Sequence, residues 1–246
     1  MYMVTKKRLP IQLSTDTLDT VATLYIVGTP IGNLGDITSR GRETLSSVGA
    51  VFCEDTRRTR KLLSALGISV RTVSCRSQNE ASCSEYAVSL LGEGRNLAFV
   101  SDAGTPGVSD PGATLVRTVR AAGYPVLPIP GPSAITALTS VSGMPSDRLL
   151  FGGFLSPKAG RRRRELQELL SFDGSVVLYE SPYRLVKLLG DIATFAPTRP
   201  VVLGREMTKM HEEYLAGTAG ELVDILEKRG KVLGECSVLV GPSKNV

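Results

Sequence analysis

The sequence of 246 residues has no tryptophan and a single histidine, His211, and aromatic residues make up 5% of it. One imidazole leaves little material for a Ser-His-Asp or Cys-His hydrolase, because those sites use histidine as the general base. A zinc site is not expected either, since the four cysteines form no Cys-x-x-Cys pair. The sequence therefore predicts an enzyme or binding protein that uses neither a catalytic triad nor a metal.

The cysteines, at positions 53, 75, 83 and 236, have the spacing of neither a disulfide framework nor a metal site. We expect all four to be reduced and in or near the core, as in most cytosolic proteins. The first 22 residues contain basic side chains but no apolar segment of the kind found in signal peptides, and no run reaches the roughly 18 apolar residues of a membrane helix. We therefore predict a cytoplasmic protein with no membrane partner.

Hydrophobic residues make up 42% of the chain and charged residues 22%, which is typical of a folded soluble protein. The net charge is +5. This mild excess permits a polyanionic partner without requiring one. Two local concentrations of basic residues stand out, and they are Arg57, Arg58, Arg60, Lys61 in one place and Arg161, Arg162, Arg163, Arg164 in the other.

Apolar runs alternate with segments of helical periodicity in the first half of the chain. The runs lie at 24–30, 50–55, 70–75, 96–102 and 125–130. Such a strand–helix series predicts an α/β domain with a mainly parallel sheet and helices on both faces. Gly67, Gly92 and Gly123 are expected to end helices, because each follows the last periodic residue.

The pattern changes after three prolines, Pro128, Pro130 and Pro132, which would interrupt a helix or an inner strand. Strand-like runs then occur in RLLFGGFL, SVVLYES, PVVLGREM and ECSVLVGP, with helical segments among them. They predict a second α/β domain with a mixed sheet. The expected organisation is an N-terminal extension at 1–22, one domain at 23–130 and another at 131–246.

Three glycine- and proline-rich turns, at 28–36, 101–112 and 128–134, follow predicted strands of the first half. Ligands of parallel sheets bind at the carboxyl ends of strands, so these turns are the candidate binding site, with ordinary strand–helix turns as the alternative. No Walker A or G-x-G-x-x-G string is present, which disfavours P-loop, dinucleotide and common Rossmann-type methyltransferase folds. Because the turns contain few basic residues, a neutral or cationic ligand fits better than a phosphate.

These turns carry a family signature. The strings LYIVGTPIGNLGDIT, VFCEDTRRTRKLL, VSDAGTPGVSDPG, PIPGPSAITALTSVSGMPSDRLLFGGFL, LYESPYRL and REMTK, in this order and spacing, resemble the ribosomal RNA small subunit methyltransferase I family of the tetrapyrrole-methylase superfamily. The resemblance covers about residues 24–242. It implies the two-domain tetrapyrrole-methylase fold, with S-adenosyl-L-methionine bound in a cleft between two α/β domains, S-adenosyl-L-homocysteine as product and no metal.

The resemblance also implies an activity and partners. Members of the family methylate the ribose 2′-oxygen of a cytidine in the decoding region of 16S rRNA in the small ribosomal subunit, usually as homodimers. Carried over string by string, the cofactor contacts fall on Pro30, Asp102, Ala103, Gly104, Thr105, Val108, Ser133, Ala134, Tyr179, Glu180, Glu206 and Met207.

Two departures from the family pattern concern RNA contacts. Ser77-Gln78-Asn79-Glu80 stands where the family often has a histidine before Asn-Glu. The segment Lys228-Arg229-Gly230-Lys231-Val232-Leu233-Gly234-Glu235 stands where the family usually has Arg-Arg-Lys-Gly-Glu.

Methyl transfer from a sulfonium to a hydroxyl is an in-line displacement helped by a nearby base. The carboxylates of suitable type are Glu54, Asp55, Glu80 and Glu180, and of these we assign the base to Glu54 or Glu80. Arg57 is a further catalytic candidate, since it could pair with these acids or with a phosphate. Asp55 or Thr56 as a helix N-cap, and Asn79-Glu80 as a helix start, are the structural alternatives.

For RNA binding the candidates are Arg57, Arg58, Arg161, Arg162, Arg163 and Arg164. Cations at the start of a helix oppose its macrodipole, so local stability does not explain the second run, whereas rRNA phosphates would. A solvated helix start is the alternative.

Two other functions remain open from the sequence. One is a C-methyltransferase of corrin or sirohaem precursors, against which the EDTR and LYES strings argue. The other is a non-catalytic relative that binds the ribosome.

Overall fold

The computed structural model describes residues 21–243, which form two compact units. The first unit comprises residues 21–29 and Asp36–Gly131, and the second comprises Pro30–Gly35 and residues 132–243. Most of the predicted extension, residues 1–20, lies outside the described residues. Ala22 is buried against the core of the first unit. No sequence pattern indicates that Pro30–Gly35 belongs with the second unit.

The first unit is built on a five-stranded sheet with the order β3-β2-β4-β1-β5, in which every neighbouring pair is parallel. Its elements are β1 Leu24–Val27, α1 Ser39–Ser47, β2 Ala50–Cys53, α2 Thr56–Ala65, β3 Thr72–Ser74, α3 Glu80–Gly92, β4 Leu97–Val100, α4 Ala113–Ala121 and β5 Val126–Ile129. A short 3₁₀ helix, Leu34–Asp36, precedes α1.

Helices cover both faces of this sheet, as predicted. Alternating residues of one strand belong to different clusters, with Phe52 packed among residues of α3 and α4 and Val51 among residues of α1 and α2. Period-two alternation places such neighbours on opposite faces. Pro128 pairs with Ile26 on the edge strand β5, where a missing N–H costs no ladder hydrogen bond.

The second unit has a mixed sheet with the order β6-β7-β10-β8-β9, in which β6 and β7 are parallel and the other pairs antiparallel. Its elements are α5 Ala134–Ser142, β6 Leu149–Phe154, α6 Ala159–Leu170, β7 Ser175–Glu180, α7 Leu185–Phe195, β8 Pro200–Arg205, β9 Glu213–Thr218, α8 Ala219–Arg229 and β10 Cys236–Val240. The helices α6, α7 and α8 contribute to the large cluster on one face, and α5 to the smaller cluster on the other. The mixed sheet was predicted, but the edge strand β9 was not.

One predicted helix end is wrong. Gly92 is the last residue of α3, and Gly94, with φ of 78°, is the residue in the left-handed conformation after it. Gly67 and Gly123 have the expected positive φ, of 72° and 89°.

The prediction that all four cysteines are reduced is also wrong. Cys75 and Cys83 form a disulfide across eight residues, which joins the loop after β3 to the first turns of α3. Cys53 and Cys236 are free and buried.

Between residues 21 and 243, no helix combines the length and the apolar character needed to cross a bilayer.

Candidate functional site

The main chain of the three glycine-rich turns is tied together in the first unit. Thr29 and Gly104 exchange two main-chain hydrogen bonds, of 2.8 and 3.0 Å, and the N–H of Gly28 donates to the carbonyl of Ile129 at 3.0 Å. The hydroxyl of Thr105 donates to the carbonyl of Gly131 at 3.4 Å. The sequence places the three turns at one sheet edge, and these contacts confirm that placement.

Two of the glycines are explained by this packing. A Cβ atom on Gly28 would lie 2.7 Å from Cα of Gly131, and one on Gly131 would lie 2.7 Å from the carbonyl oxygen of Gly28. Main chain approaches main chain here, so any larger residue would separate the turns. Gly104 has φ of 80°, a conformation that favours glycine for a different reason.

Three acids lie in the residues that follow β2 and β4, and they influence one another. Burial raises the pKa of Glu54, and the nearby charges of Asp102 and Asp110 raise it further, against a smaller lowering by the charges of Arg76 and Arg58. Burial likewise raises the pKa of Asp110, and the charge of Asp102 adds to it, against a lowering by a hydrogen bond from Ser101. Carboxylates with raised pKa values at the carboxyl ends of parallel strands are suited to accept a proton near neutral pH.

Asp102, one of these three acids, and the neighbouring Asp55 also have structural roles. Oδ1 of Asp102 accepts the N–H of Asp55 at 3.1 Å, and Oδ2 lies 3.4 Å from a guanidinium nitrogen of Arg58. Asp55 is the N-cap of α2, accepting the N–H groups of Arg57 and Arg58, which confirms the N-cap reading of this residue.

Within the described part of the chain, the carboxylate of Glu54 has neither a hydrogen-bond donor nor an ion-pair partner. Its carbonyl oxygen accepts a hydrogen bond from Nε of Arg76 at 3.0 Å, which fixes the main chain and leaves the side chain available. Sequence reasoning did not select Arg76 or Asp110. The second aspartate of the SDAGTPGVSDPG turn was the available signal for Asp110.

The carboxylate of Glu80, by contrast, caps a helix. Its Oε1 accepts the N–H groups of Gly112, Thr114 and Leu115, at 2.9, 2.8 and 3.3 Å. Gly112 is the N-cap of α4 and has no side chain to do this, so Glu80 satisfies donors at the helix start from 32 residues away. This occupation makes Glu80 the weaker candidate for the base.

We expect Glu80→Ala to destabilise the chain by about 2 kcal/mol, since it leaves three helix N–H groups without an acceptor, and Glu80→Gln by about half as much because an acceptor remains. Urea unfolding measures both. A catalytic role predicts instead that both variants unfold like the wild type and that both lose methyl transfer.

In the second unit, the loop Pro30–Gly35 packs against the segment after β8. A Cβ on Gly32 would lie 2.7 Å from Oγ1 of Thr208 and 2.9 Å from the carbonyl oxygen of Met207. The N–H of Asn33 donates to the same hydroxyl at 3.1 Å. Met207 and Ala134 belong to one apolar cluster that also contains Ile31, so the structure brings together these two predicted cofactor residues and the neighbour of Pro30.

Glu206 and Thr208 have φ values of 50° and 66°. Non-glycine residues adopt this left-handed conformation at an energetic cost, and such residues concentrate at functional sites. Glu206 is held there by Nζ of Lys209, at 2.9 Å, and by the N–H of Glu235, at 2.8 Å. The hydrogen bond from Glu235 holds the pKa of Glu206 below its usual range, so its carboxylate is ionised and occupied.

Glu180 and Tyr179 end β7. Glu180 is buried, and its Oε1 accepts the N–H of Ser181 and pairs with Arg184, both at 2.6 Å. Its Oε2 is buried without a partner among the described residues. The ring of Tyr179 contacts Phe151 and Phe154 edge-on, with centroid distances of 4.9 and 5.6 Å. Ser133 is the N-cap residue of α5, although its side chain makes no capping hydrogen bond.

The basic run at the start of α6 separates into two groups. Arg162 is buried and paired with Oδ2 of Asp191, through Nε at 2.9 Å and through its terminal nitrogen at 2.8 Å. Arg163 pairs with Oδ1 of Asp191 at 3.0 Å and lies over the ring of Phe195. The expectation that four arginines face RNA is therefore wrong for Arg162, because its charge is neutralised inside the unit.

Arg161, Arg163 and Arg164 are exposed, as are Arg57 and Arg58 in the other unit. Arg161 pairs with Glu165 at 2.7 Å.

No group of three or more histidine, cysteine, aspartate or glutamate side chains in residues 21–243 is placed to hold a metal ion.

Comparison with known proteins gives two kinds of match. The family model described as Tetrapyrrole (Corrin/Porphyrin) Methylases matches residues 23–223. A protein of Neisseria meningitidis serogroup B named "Ribosomal RNA small subunit methyltransferase I" is 42% identical over 224 residues, covering 91% of this chain and 77% of the relative. One of the same name from Borrelia garinii subsp. bavariensis is 44% identical over 223 residues, covering 90% of this chain and all of the relative.

Solved structures are similar in fold. A uroporphyrin-III-C-methyltransferase from Thermus thermophilus has a TM-score of 0.61 at 21% identity, over 90% of this chain and 95% of that one. A cobalt precorrin-4 methyltransferase has a TM-score of 0.64 at 18% identity, over 89% and 94%. At these identities the likeness concerns the fold alone.

Proposed function

The chain belongs to the ribosomal RNA small subunit methyltransferase I family, within the tetrapyrrole (corrin/porphyrin) methylases, and on that premise we propose that it is an S-adenosylmethionine-dependent methyltransferase of 16S rRNA. The proposed acceptor is the ribose 2′-oxygen of a cytidine in the decoding region. The structural observation that carries the proposal is the unpaired carboxylate of Glu54, with its raised pKa, in the residues that follow β2.

The cofactor contacts are proposed unit by unit. In the first unit they are Asp102, Ala103, Gly104, Thr105 and Val108. In the second unit they are Pro30, Ser133, Ala134, Tyr179, Glu180, Glu206 and Met207. When bound, S-adenosylmethionine would supply the methyl group and leave as S-adenosylhomocysteine.

The proposed role of Glu54 is that of general base. When the 2′-hydroxyl is methylated, the carboxylate of Glu54 would accept its proton and would later release that proton to water. The hydrogen bond from Arg76 to the carbonyl of Glu54 would hold the main chain at this point. Alignment of the reacting atoms supplies the rest of the rate enhancement, and no metal is required by this step.

The direct test is transfer of a tritiated methyl group from S-adenosylmethionine to isolated small ribosomal subunits and, in parallel, to deproteinised 16S rRNA. We expect incorporation into at least one of them, and nuclease digestion followed by mass spectrometry should give 2′-O-methylcytidine. A methylated base, or no incorporation into either substrate by protein that binds the cofactor, would contradict the proposal.

A corrin or sirohaem precursor is the alternative substrate. Relatives at 42–44% identity carry the rRNA name, whereas the tetrapyrrole enzymes match at 18–21%. The same assay run with uroporphyrinogen III is expected to give no methylated product. The homodimer and the cytoplasmic location implied by the family are proposed with the function, and sedimentation equilibrium tests the dimer.

The cofactor placement makes a separate prediction at Val108, an apolar residue that is 45% exposed in the second turn. Val108→Lys should weaken S-adenosylmethionine binding at least tenfold in calorimetry, because a cation there repels the sulfonium, and should leave thermal unfolding unchanged. Val141→Lys is the matched control, since this valine is 55% exposed on α5. Equal affinities for the two variants would remove Val108 from the site.

A further inference from the structure

The connection between β6 and α6 contains an open cleft with a volume of about 720 Å³. Its lining residues are Ser156, Pro157, Lys158, Gly160, Arg161 and Arg164. Three of these six side chains are cationic. The positions 158, 161 and 164 are spaced by three, so they lie on the same side of the helix and its start.

The cleft is basic because its charges are largely unneutralised. Neither Lys158 nor Arg164 has an ion-pair partner within 4.0 Å in the described part of the chain, and Arg161, although paired with Glu165, has a side chain that is 68% exposed. The second oxygen of Glu165 accepts the N–H of Ser156 at 2.8 Å, which holds the loop to the helix. Counting that carboxylate, the four groups leave a net charge of +2.

The arginines of α6 are not all as exposed as Arg161. Arg162 is buried and pairs with Asp191 of α7, and Arg163 pairs with the same carboxylate although its side chain is 50% exposed. The run of four arginines is thus split by helical periodicity, with one side used for packing and the other lining the cleft.

An exposed aromatic residue precedes the cleft. Phe154 ends β6 and is 60% exposed, although it pairs in register with Tyr179 of β7 and contacts its ring edge-on. The register shifts just before it, between Phe151 and Gly153, and such bulges redirect the side chains that follow. Lys158 is the fourth residue after Phe154, which limits their Cα separation to about 14 Å.

We propose that this connection is a binding site for a single strand of RNA, in which Lys158, Arg161 and Arg164 hold backbone phosphates in the cleft and Phe154 stacks on a base. Basic grooves combined with exposed aromatic rings are the usual means of holding single-stranded nucleic acid. The proposal rests on the proposed function, for which it names the surface that holds the substrate rRNA.

The test separates charge from stacking by the salt dependence of binding. Dissociation constants for small ribosomal subunits and for deproteinised 16S rRNA are measured between 50 and 300 mM KCl. Phosphate contacts release counterions, so the triple variant Lys158→Ser, Arg161→Ser, Arg164→Ser should flatten the slope of log K against log [salt] by about 2–3. Phe154→Ala should weaken binding on the order of 10- to 100-fold and leave the slope unchanged.

A control variant removes the same charge elsewhere. Arg40, Arg120 and Lys187 are exposed and have no ion-pair partner among the described residues, so changing all three to serine should alter the slope much less. Thermal unfolding is expected to be the same for both triple variants.

The inference is overturned if the cleft variant keeps the wild-type slope, if the control flattens it equally, or if the wild type binds neither RNA substrate in a salt-dependent way. The methyl-transfer assay reports on the proposed function separately. Methylation with an unchanged slope in the cleft variant would retain that function and reject this surface, whereas RNA binding without methyl transfer would do the reverse.

Discussion

Replacing Glu54 by glutamine is expected to lower kcat for methyl transfer by about 100- to 10,000-fold, the range that a positioned general base contributes. The glutamine has nearly the same shape but cannot accept the proton. Single-turnover measurements with the rRNA substrate at saturating S-adenosylmethionine give the effect directly, and cofactor affinity should stay within about threefold of the wild type.

The pH dependence follows from the raised pKa of Glu54, which burial causes and the charges of Asp102 and Asp110 increase. Since the base acts in its ionised form, the rate should fall as the pH is lowered through this raised pKa, above the range of an ordinary glutamate. The same shift means that the folded chain binds this proton more tightly than the unfolded chain does. The stability that this proton adds to the folded chain is present at low pH. It is lost as the pH rises through the pKa of Glu54 in the folded chain.

The glutamine variant should therefore be at least as stable as the wild type at neutral pH while being nearly inactive. Glu85→Gln, which changes an exposed carboxylate on α3, serves as the control for charge alone and should keep full activity. Retention of more than a third of kcat by Glu54→Gln, or an unaltered acid limb in its pH profile, would exclude Glu54 as the base.

The second large effect concerns stability and the α6–α7 contact. Arg162→Ser should lower the free energy of unfolding by about 3–5 kcal/mol, because it leaves the buried carboxylate of Asp191 with Arg163 as its single partner. Arg164→Ser, two residues along the same helix, should change it by less than about 0.5 kcal/mol because this side chain is solvated. Urea unfolding compares the two directly.

A double variant makes the physical reason testable. Arg162→Met combined with Asp191→Leu removes both charges and keeps the volume apolar, so it should recover most of the lost stability. If Arg162→Ser unfolds at the wild-type urea concentration, the pair contributes nothing. If the double variant is as unstable as the single one, packing rather than an uncompensated charge explains the loss.

Much of the fold followed from periodicity, and its failures have local causes. The inner parallel strands were predictable because they are apolar runs, of which β2 and β4 are buried throughout, as expected for strands covered on both faces. Strand β9 was missed because it is an edge strand whose residues are all half-buried or exposed, so EYLAGT shows no apolar run. The disulfide was missed because Cys75 and Cys83 meet only when the loop after β3 returns to α3.

The role of a site residue could be predicted where the groups that it contacts are close to it in the sequence. Asp55 as the N-cap of α2 could be read from its position, but the cap that Glu80 provides to α4 joins residues 32 or more apart and leaves no trace in either segment. The burial of Arg162, by contrast, did leave a signal in the sequence. It lies four residues before the buried Leu166, so it shares the apolar face of α6, a signal that the run of arginines concealed.

The state of the four cysteines has a practical consequence for labelling. Cys75 and Cys83 are bonded to each other, Cys53 and Cys236 are buried, and burial raises the pKa of Cys236 to about 11. Alkylation requires an accessible thiolate, so a maleimide dye has no reactive target in the folded chain until it opens. A cysteine introduced at an exposed position would thus be labelled alone, without prior removal of the natural ones. Fluorophores could then be attached selectively beside the basic cleft, and the rate at which an unaltered chain takes up dye would time its unfolding.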